Sequence, residues 1–116
     1  MGIAGTYNIT ADQGATFSRV LTYTDSAGDP IDLSGYSARM QVRSIVSSDT
    51  TVLELTTDNG RITLGGAAGT VTLSVPASAM DDVAGGSYAY DLELVDGTTV
   101  TRLVMGSFTV RAEVTR

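Results

Sequence analysis

A chain of 116 residues with 13 acidic side chains, seven arginines and no lysine, histidine or cysteine is the length of one domain and carries a formal charge of −6. That composition excludes disulfides and thiolate metal sites, removes the commonest general bases, nucleophiles and Schiff-base amines, and disfavours polyanionic partners, which reward clustered Lys and Arg. No run reaches the ~18 apolar residues of a membrane-spanning helix, and MGIAGTYNIT lacks the basic and apolar regions of a signal peptide, so the expectation is one domain, 1–116, with residues 1–5 flexible, no nucleic-acid or membrane partner and no signal-peptide secretion.

Strand signals recur at short intervals between Gly, Asp, Asn and Ser. Residues 6–10 read as a first strand, ending at Asp12-Gln13-Gly14. Residues 16–23 form the second, with Phe17, Leu21 and Tyr23 on one face. Asp25-Ser26-Ala27-Gly28 reads as a turn, because Asp bonds its own backbone and Gly permits positive φ. Asp29, Pro30, Asp32 and Gly35 then make a corner that aims the next strand, with Ile31 and Leu33 plugging the end of the core.

Residues 37–43 alternate with period two: Ala38, Met40 and Val42 inward, Ser37, Arg39, Gln41 and Arg43 outward. Residues 44–50 are loop-like, and 52–56 is a strand with Leu53 and Leu55 inward. Asp58-Asn59-Gly60 predicts a type I′ hairpin that returns along 61–64. The glycines at 65, 66 and 69 break the chain before strand 70–75, in which Val71, Leu73 and Val75 alternate with polar residues. Residues 77–84 are the only helical stretch, with Ser78 as its cap. The clearest strand, 88–95, turns Tyr88, Tyr90, Leu92 and Leu94 inward and Ala89, Asp91 and Glu93 outward. Asp96-Gly97 leads into 99–105, and Gly106 reads as a bulge before 108–114.

Eight or nine short strands with one helical turn near 77–84 predict an all-β, immunoglobulin-like Greek-key β-sandwich, with a small β-barrel as the alternative. It is not the disulfide-pinned antibody version, since the chain has neither Cys nor Trp.

Chemistry has few carriers. Asp91 and Glu93 share a strand face and would serve a glycoside hydrolase if a cleft held them ~5–9.5 Å apart; the same spacing describes the wet side of any antiparallel strand. Asp25, Asp29 and Asp32 could offer oxygens to calcium, but they lack the EF-hand pattern and each has a local turn role. The glycines at 65, 66 and 69 are not followed by Lys and open no helix, so they make no phosphate loop. Tyr36, Tyr88 and Tyr90 could stack on a sugar or fill the core. The expectation is no catalytic residue, metal or cofactor, and a protein-contact row formed by Arg39, Gln41 and Arg43.

Three stretches, TADQGATFSRVLTYTDSAGDPIDLSGYSARMQVRS, LELTTDNGRITLGGAAGTVTLSVPASAM and GGSYAYDLELVDGTTVTRLVMGSFTVRAEVTR, together resemble small virion proteins of tailed bacteriophages. They are similar to the N-terminal immunoglobulin-like domain of phage baseplate upper proteins and to free-standing proteins of phage tail and head–tail regions. The resemblance runs from about Thr6 onward and rests on a GxTF element, a G-P-hydrophobic-D-L-S-G-Y corner, a GxYxYDLEL strand followed by DG, and a closing GxFxVxxEVT. It implies a non-enzymatic module that docks fibres or other virion proteins in several symmetric copies, or that decorates the capsid. A surface glycan-binding module is the alternative from another class. The baseplate proteins continue into a fibre-binding region that has no counterpart within these 116 residues.

Overall fold

A computed structural model describes residues 5–45 and 50–112. The strands are β1 (Gly5–Thr6), β2 (Ile9–Asp12), β3 (Phe17–Thr22), β4 (Ser37–Arg43), β5 (Thr51–Thr56), β6 (Ile62–Leu64), β7 (Thr70–Val75), β8 (Gly86–Asp96) and β9 (Thr99–Arg111), with one short helix, α1 (Ala77–Met80). β1 and β2 both run parallel to β9 and are two pieces of one edge strand. Among the described residues the protein is thus mostly β, with eight strands in two sheets. The larger sheet has the order β1/β2-β9-β8-β4-β5 and curls into a half-barrel; the smaller is β3-β7-β6. The predicted 1–5 lead-in falls outside the described residues except for Gly5, which is in β1.

Alternation builds the core. Ala38, Met40 and Val42 of β4, Leu53 and Leu55 of β5, and Tyr90, Leu92 and Leu94 of β8 face Phe17 and Leu21 of β3 and Val71, Leu73 and Val75 of β7. Leu33 closes one end, with Ile31 partly buried beside it. Met80 and Val83, on and just after α1, are buried in the same core. Among the described residues no polar or charged residue is fully buried and no buried side-chain polar atom lacks a partner.

Three local expectations are corrected. First, residues 58–60 do not close a hairpin. β5 lies in the larger sheet and β6 pairs with β7 in the smaller, so this turn is a corner between sheets. Gly60 has φ +79°, but no non-glycine residue has positive φ among those described, which rules out the type I′ geometry at Asn59. Asn59 instead braces the corner: its Oδ1 accepts the N–H groups of Thr56 and Arg61, and its Nδ2 donates to the Glu54 carbonyl.

Second, α1 is four residues long, with Pro76 at its N-cap position and no side-chain cap, so Ser78 lies inside it. Third, β9 runs through Gly106 without a break. The irregularity falls where Leu92 pairs with Val104 and Glu93 with Arg102, leaving Leu103 as the extra residue. Leu103 and Val104 are consequently both buried, and alternation resumes one residue later. The expected continuation to Val114 lies partly outside the described residues.

Arg19, on which the sequence reading was silent, sits on the inward side of β3 between Phe17 and Leu21. It donates to the Tyr7 hydroxyl (2.8 Å) and the Thr10 carbonyl (3.3 Å), and its guanidinium lies 5.7 Å from the Phe17 ring centroid. Arg19 thereby bridges β3 to the edge strand of the other sheet. Tyr90 donates its hydroxyl to the Tyr7 carbonyl, and burial, reinforced by Tyr7 and opposed by Arg19, pushes its pKa up to about 12. Arg19→Met keeps the stem but removes these bonds and is expected to cost about 1–3 kcal/mol, read from the urea midpoint. An unchanged midpoint would show that the bridge carries no stability.

Candidate functional site: the outer face of the larger sheet

Burial of Ala38, Met40 and Val42 fixes Arg39, Gln41 and Arg43 on the opposite face of β4, so the three predicted contact residues stand in one row. The structure sets them among partners from neighbouring strands. Arg39 Nε donates to Glu93 Oε1 of β8 at 2.8 Å, directly across the pairing. Gln41 Nε2 donates to Glu54 Oε2 of β5 at 3.0 Å, and Arg43 Nη2 donates to Gln41 Oε1 at 2.6 Å. On the far side of β8, Arg102 Nε of β9 lies 3.7 Å from Asp91 Oδ2 and Nη1 lies 3.9 Å from Met105 Sδ.

Read across the strands, the face carries an acidic row on β5 (Glu54), a basic row on β4 (Arg39, Arg43), an acidic row on β8 (Asp91, Glu93) and a basic residue on β9 (Arg102). A shallow cavity of about 340 Å³ lies over its middle, lined by Gln41, Arg43, Ala89, Tyr90, Asp91, Glu93, Arg102 and Met105. Val100 and Met105 add exposed apolar surface. Each exposed ion pair contributes little alone, roughly 0–1 kcal/mol. Their geometry nonetheless orients six charged groups in strips.

Asp91 and Glu93 share this face as expected, and each is set against an arginine of an adjacent strand. Asp25, Asp29 and Asp32 serve the corner. Asp25 Oδ1 accepts the Ala27 and Asp29 N–H groups, and Asp32 Oδ1 accepts the Ser34 N–H. Pro30 bridges Thr24, Ile31 N–H donates to the Tyr23 carbonyl, and Gly35 turns at φ +84° before Tyr36 N–H donates to the Leu33 carbonyl. Among the described residues no group of three acids could hold a metal ion. Tyr36 and Tyr88 pack against the core and Tyr90 is within it. The reading of the sequence singled out neither Glu54 nor Arg102 nor Met105 as part of this face.

At one end of the face, Arg111 of β9 grips Asp12 of β2 through two bonds, of 2.7 and 3.1 Å. The Arg111 hydrogen bond holds the Asp12 carboxyl below its usual pKa, and the Ser34 bonds do the same for Asp32. Both folded-state values lie below the ordinary 3.8, so any stability these groups add is present above that pH and is lost as pH falls through the depressed values. An acid titration of the urea midpoint is expected to lose part of its slope below that pH in Asp12→Asn. An unaltered titration would show that the pair is uncoupled from folding.

No protein-family model matches the chain, and no curated protein matches it.

Proposed function

We propose that this chain is a non-enzymatic structural protein of a tailed-bacteriophage virion, a small module of the tail, baseplate or head–tail region that docks other virion proteins such as fibres. The order β1/β2-β9-β8-β4-β5 against β3-β7-β6, with a short helix between β7 and β8, suits an immunoglobulin-like Greek-key sandwich, the fold the sequence resemblance implies. Fold alone names no function. The observation that carries the reading is the outer face of the larger sheet, whose broad, shallow strips of fixed charge suit contact with another protein.

Faces, rather than edges, are the available docking elements at two points. The Thr10 carbonyl on the outer strand of one edge takes Arg19, and the Glu54 carbonyl on β5 takes both Asn59 and Arg61. Those positions are occupied against an added strand. The packing of Tyr36, Tyr88 and Tyr90 into or against the core lends no support to a glycan-stacking surface.

The test is incorporation into particles. Purified tailed particles from a producing culture should contain the protein, cross-linked to tail, baseplate or fibre proteins. Cross-links confined to the major capsid protein would replace the tail placement with capsid decoration. Absence from particles would sink the virion reading. Arg39→Glu with Arg43→Glu is expected to reduce incorporation about tenfold or more, because like charges opposed across an interface cost several kcal/mol. Full incorporation of that variant would exclude the β4 row as the docking surface.

A further inference from the structure

We infer that the outer face of the larger sheet is a self-complementary interface that pairs with a second copy of this chain about a two-fold axis parallel to the strands, between β4 and β8. The inference rests on the preceding reading only in taking this face as a docking surface. Its basis is the sign pattern. From β5 to β9 the rows run acidic, basic, acidic, basic, through Glu54, Arg39 with Arg43, Asp91 with Glu93, and Arg102. Two sheets meeting face to face about such an axis reverse the strand order of one against the other. With the axis between β4 and β8, these four of the sheet's five strands place each row on one of opposite sign, β4 over β8 of the second copy and β5 over β9, and the edge strand β1/β2 lies outside the overlap.

The register supports the same arrangement along the strands. Arg39 is level with Glu93, and Glu93 is level with Arg102. A two-fold parallel to the strands keeps levels together, so Arg39 and Glu93 of each copy come over Glu93 and Arg39 of the other. The internal ion pair becomes a ring of four alternating charges. Gln41, level with Asp91, meets Asp91 of the second copy. Arg102, level with Glu93 and so with Arg39 and Thr56, comes over Thr56 of the second copy, two residues along β5 from Glu54.

Charge balance selects this occupant over others. Among the described residues, the four rows carry Arg39, Arg43 and Arg102 against Glu54, Asp91 and Glu93, so this stretch of the face has no net charge in a chain whose formal charge is −6. A uniformly acidic or basic partner would oppose like charge on half the rows. A second copy opposes none, and it meets through a neutral stretch of an acidic chain. The overlap is small: β4 and β8, of seven and 11 residues, can cover at most seven, and β5 and β9, of six and 13, at most six. Counted on both sides of the axis, at ~4.8 Å by ~3.3 Å per residue, this gives a footprint of roughly 400 Å², the size of a weak, reversible pair rather than a permanent one.

Sedimentation equilibrium of the full chain and two variants tests this. The wild type should form dimers that weaken as salt is raised. Arg39→Glu/Arg43→Glu makes β4 and β8 both acidic, and Asp91→Arg/Glu93→Arg makes both basic. Each variant alone should associate about 100-fold more weakly than wild type, and an equimolar mixture should restore a 1:1 dimer, since like charges cost several kcal/mol and opposite rows do not. Circular dichroism confirms that each is folded. If either is not, the swap Arg39→Glu/Glu93→Arg keeps the internal pair and should dimerise with itself but not with wild type. A wild type that stays monomeric to about 1 mM, the weak limit of specific association, overturns the inference. So does a mixture that fails to pair, or a swap that pairs freely with wild type. Monomers that still enter particles would sink this interface and leave the virion reading intact; dimers never found in particles would do the reverse.

Discussion

Phe108→Ala is expected to lower stability by about 3–5 kcal/mol, a large share of the ~5–15 kcal/mol that holds a domain of this size. Phe108 of β9 is fully buried and belongs to the larger sheet, but its ring meets Phe17 of β3 in the smaller one. The two centroids are 5.4 Å apart with the planes at 68°, and Tyr90 of β8 meets the same ring at 6.4 Å and 74°. Both are edge-to-face contacts, worth about 0.5–1.5 kcal/mol each beyond the area buried. Phe108 therefore joins the sheets, and its truncation opens a void where neither can collapse without disturbing the other. Phe108→Leu refills much of the volume and should lose less than alanine does. Urea unfolding measures both: the midpoint should fall with an unchanged slope. A loss below about 1 kcal/mol for alanine would mean that the ring does not sit at the junction.

The elements read most accurately from sequence were those with one buried face. β4 and β7 match the predicted 37–43 and 70–75, because a one-residue slip would turn Ala38, Met40 and Val42, or Val71, Leu73 and Val75, out to water. Turn chemistry was less decisive. Asn59-Gly60 signals a reversal, but whether the chain returns to the same sheet or crosses to the other depends on where β7 lies. That information is absent from the six residues around the turn. Arg19 shows a second limit. Its place on β3 follows period two inward, yet a guanidinium there is tolerated only because Tyr7 and Thr10, on another strand, accept its protons.

The candidate face was half legible for the same reason. Arg39, Gln41 and Arg43 share a side by alternation alone. Their partners Glu93 and Glu54 are named only by register between strands, and 54 residues separate Arg39 from Glu93. Arg102 was harder still. The extra residue at Leu103 shifts the alternation of β9, so Arg102 and Met105 flank a bulge yet lie on one face.

That junction of β9 with the edge strand yields the other large effect, expected for Gly106→Ala. A Cβ on Gly106 would lie 2.5 Å from the Tyr7 carbonyl oxygen and 2.8 Å from Asn8 Oδ1, where no real methyl group fits. Tyr7 and Asn8 are the two residues between β1 and β2; the Tyr7 N–H still donates to the Met105 carbonyl, and the Tyr7 carbonyl and the Asn8 side chain lie against Gly106 of β9. The added methyl must lift this segment. Lifting it strains the Tyr90 hydroxyl bond to the Tyr7 carbonyl, the Arg19 bond to the Tyr7 hydroxyl and the Asn8 bond that accepts the Ser107 N–H. Ile9 and Ala11, both buried, would begin to loosen with it. The expected cost is about 2–3 kcal/mol, from overpacking and the hydrogen bonds lost together. Asn8→Ala, which loses a single acceptor, should cost about 1 kcal/mol. Hydrogen exchange separates a local lift from general loosening: amides of residues 5–12 should exchange faster in Gly106→Ala while those of β4 and β7 keep their protection. Wild-type exchange across residues 5–12 would show that the edge strand does not rest on Gly106.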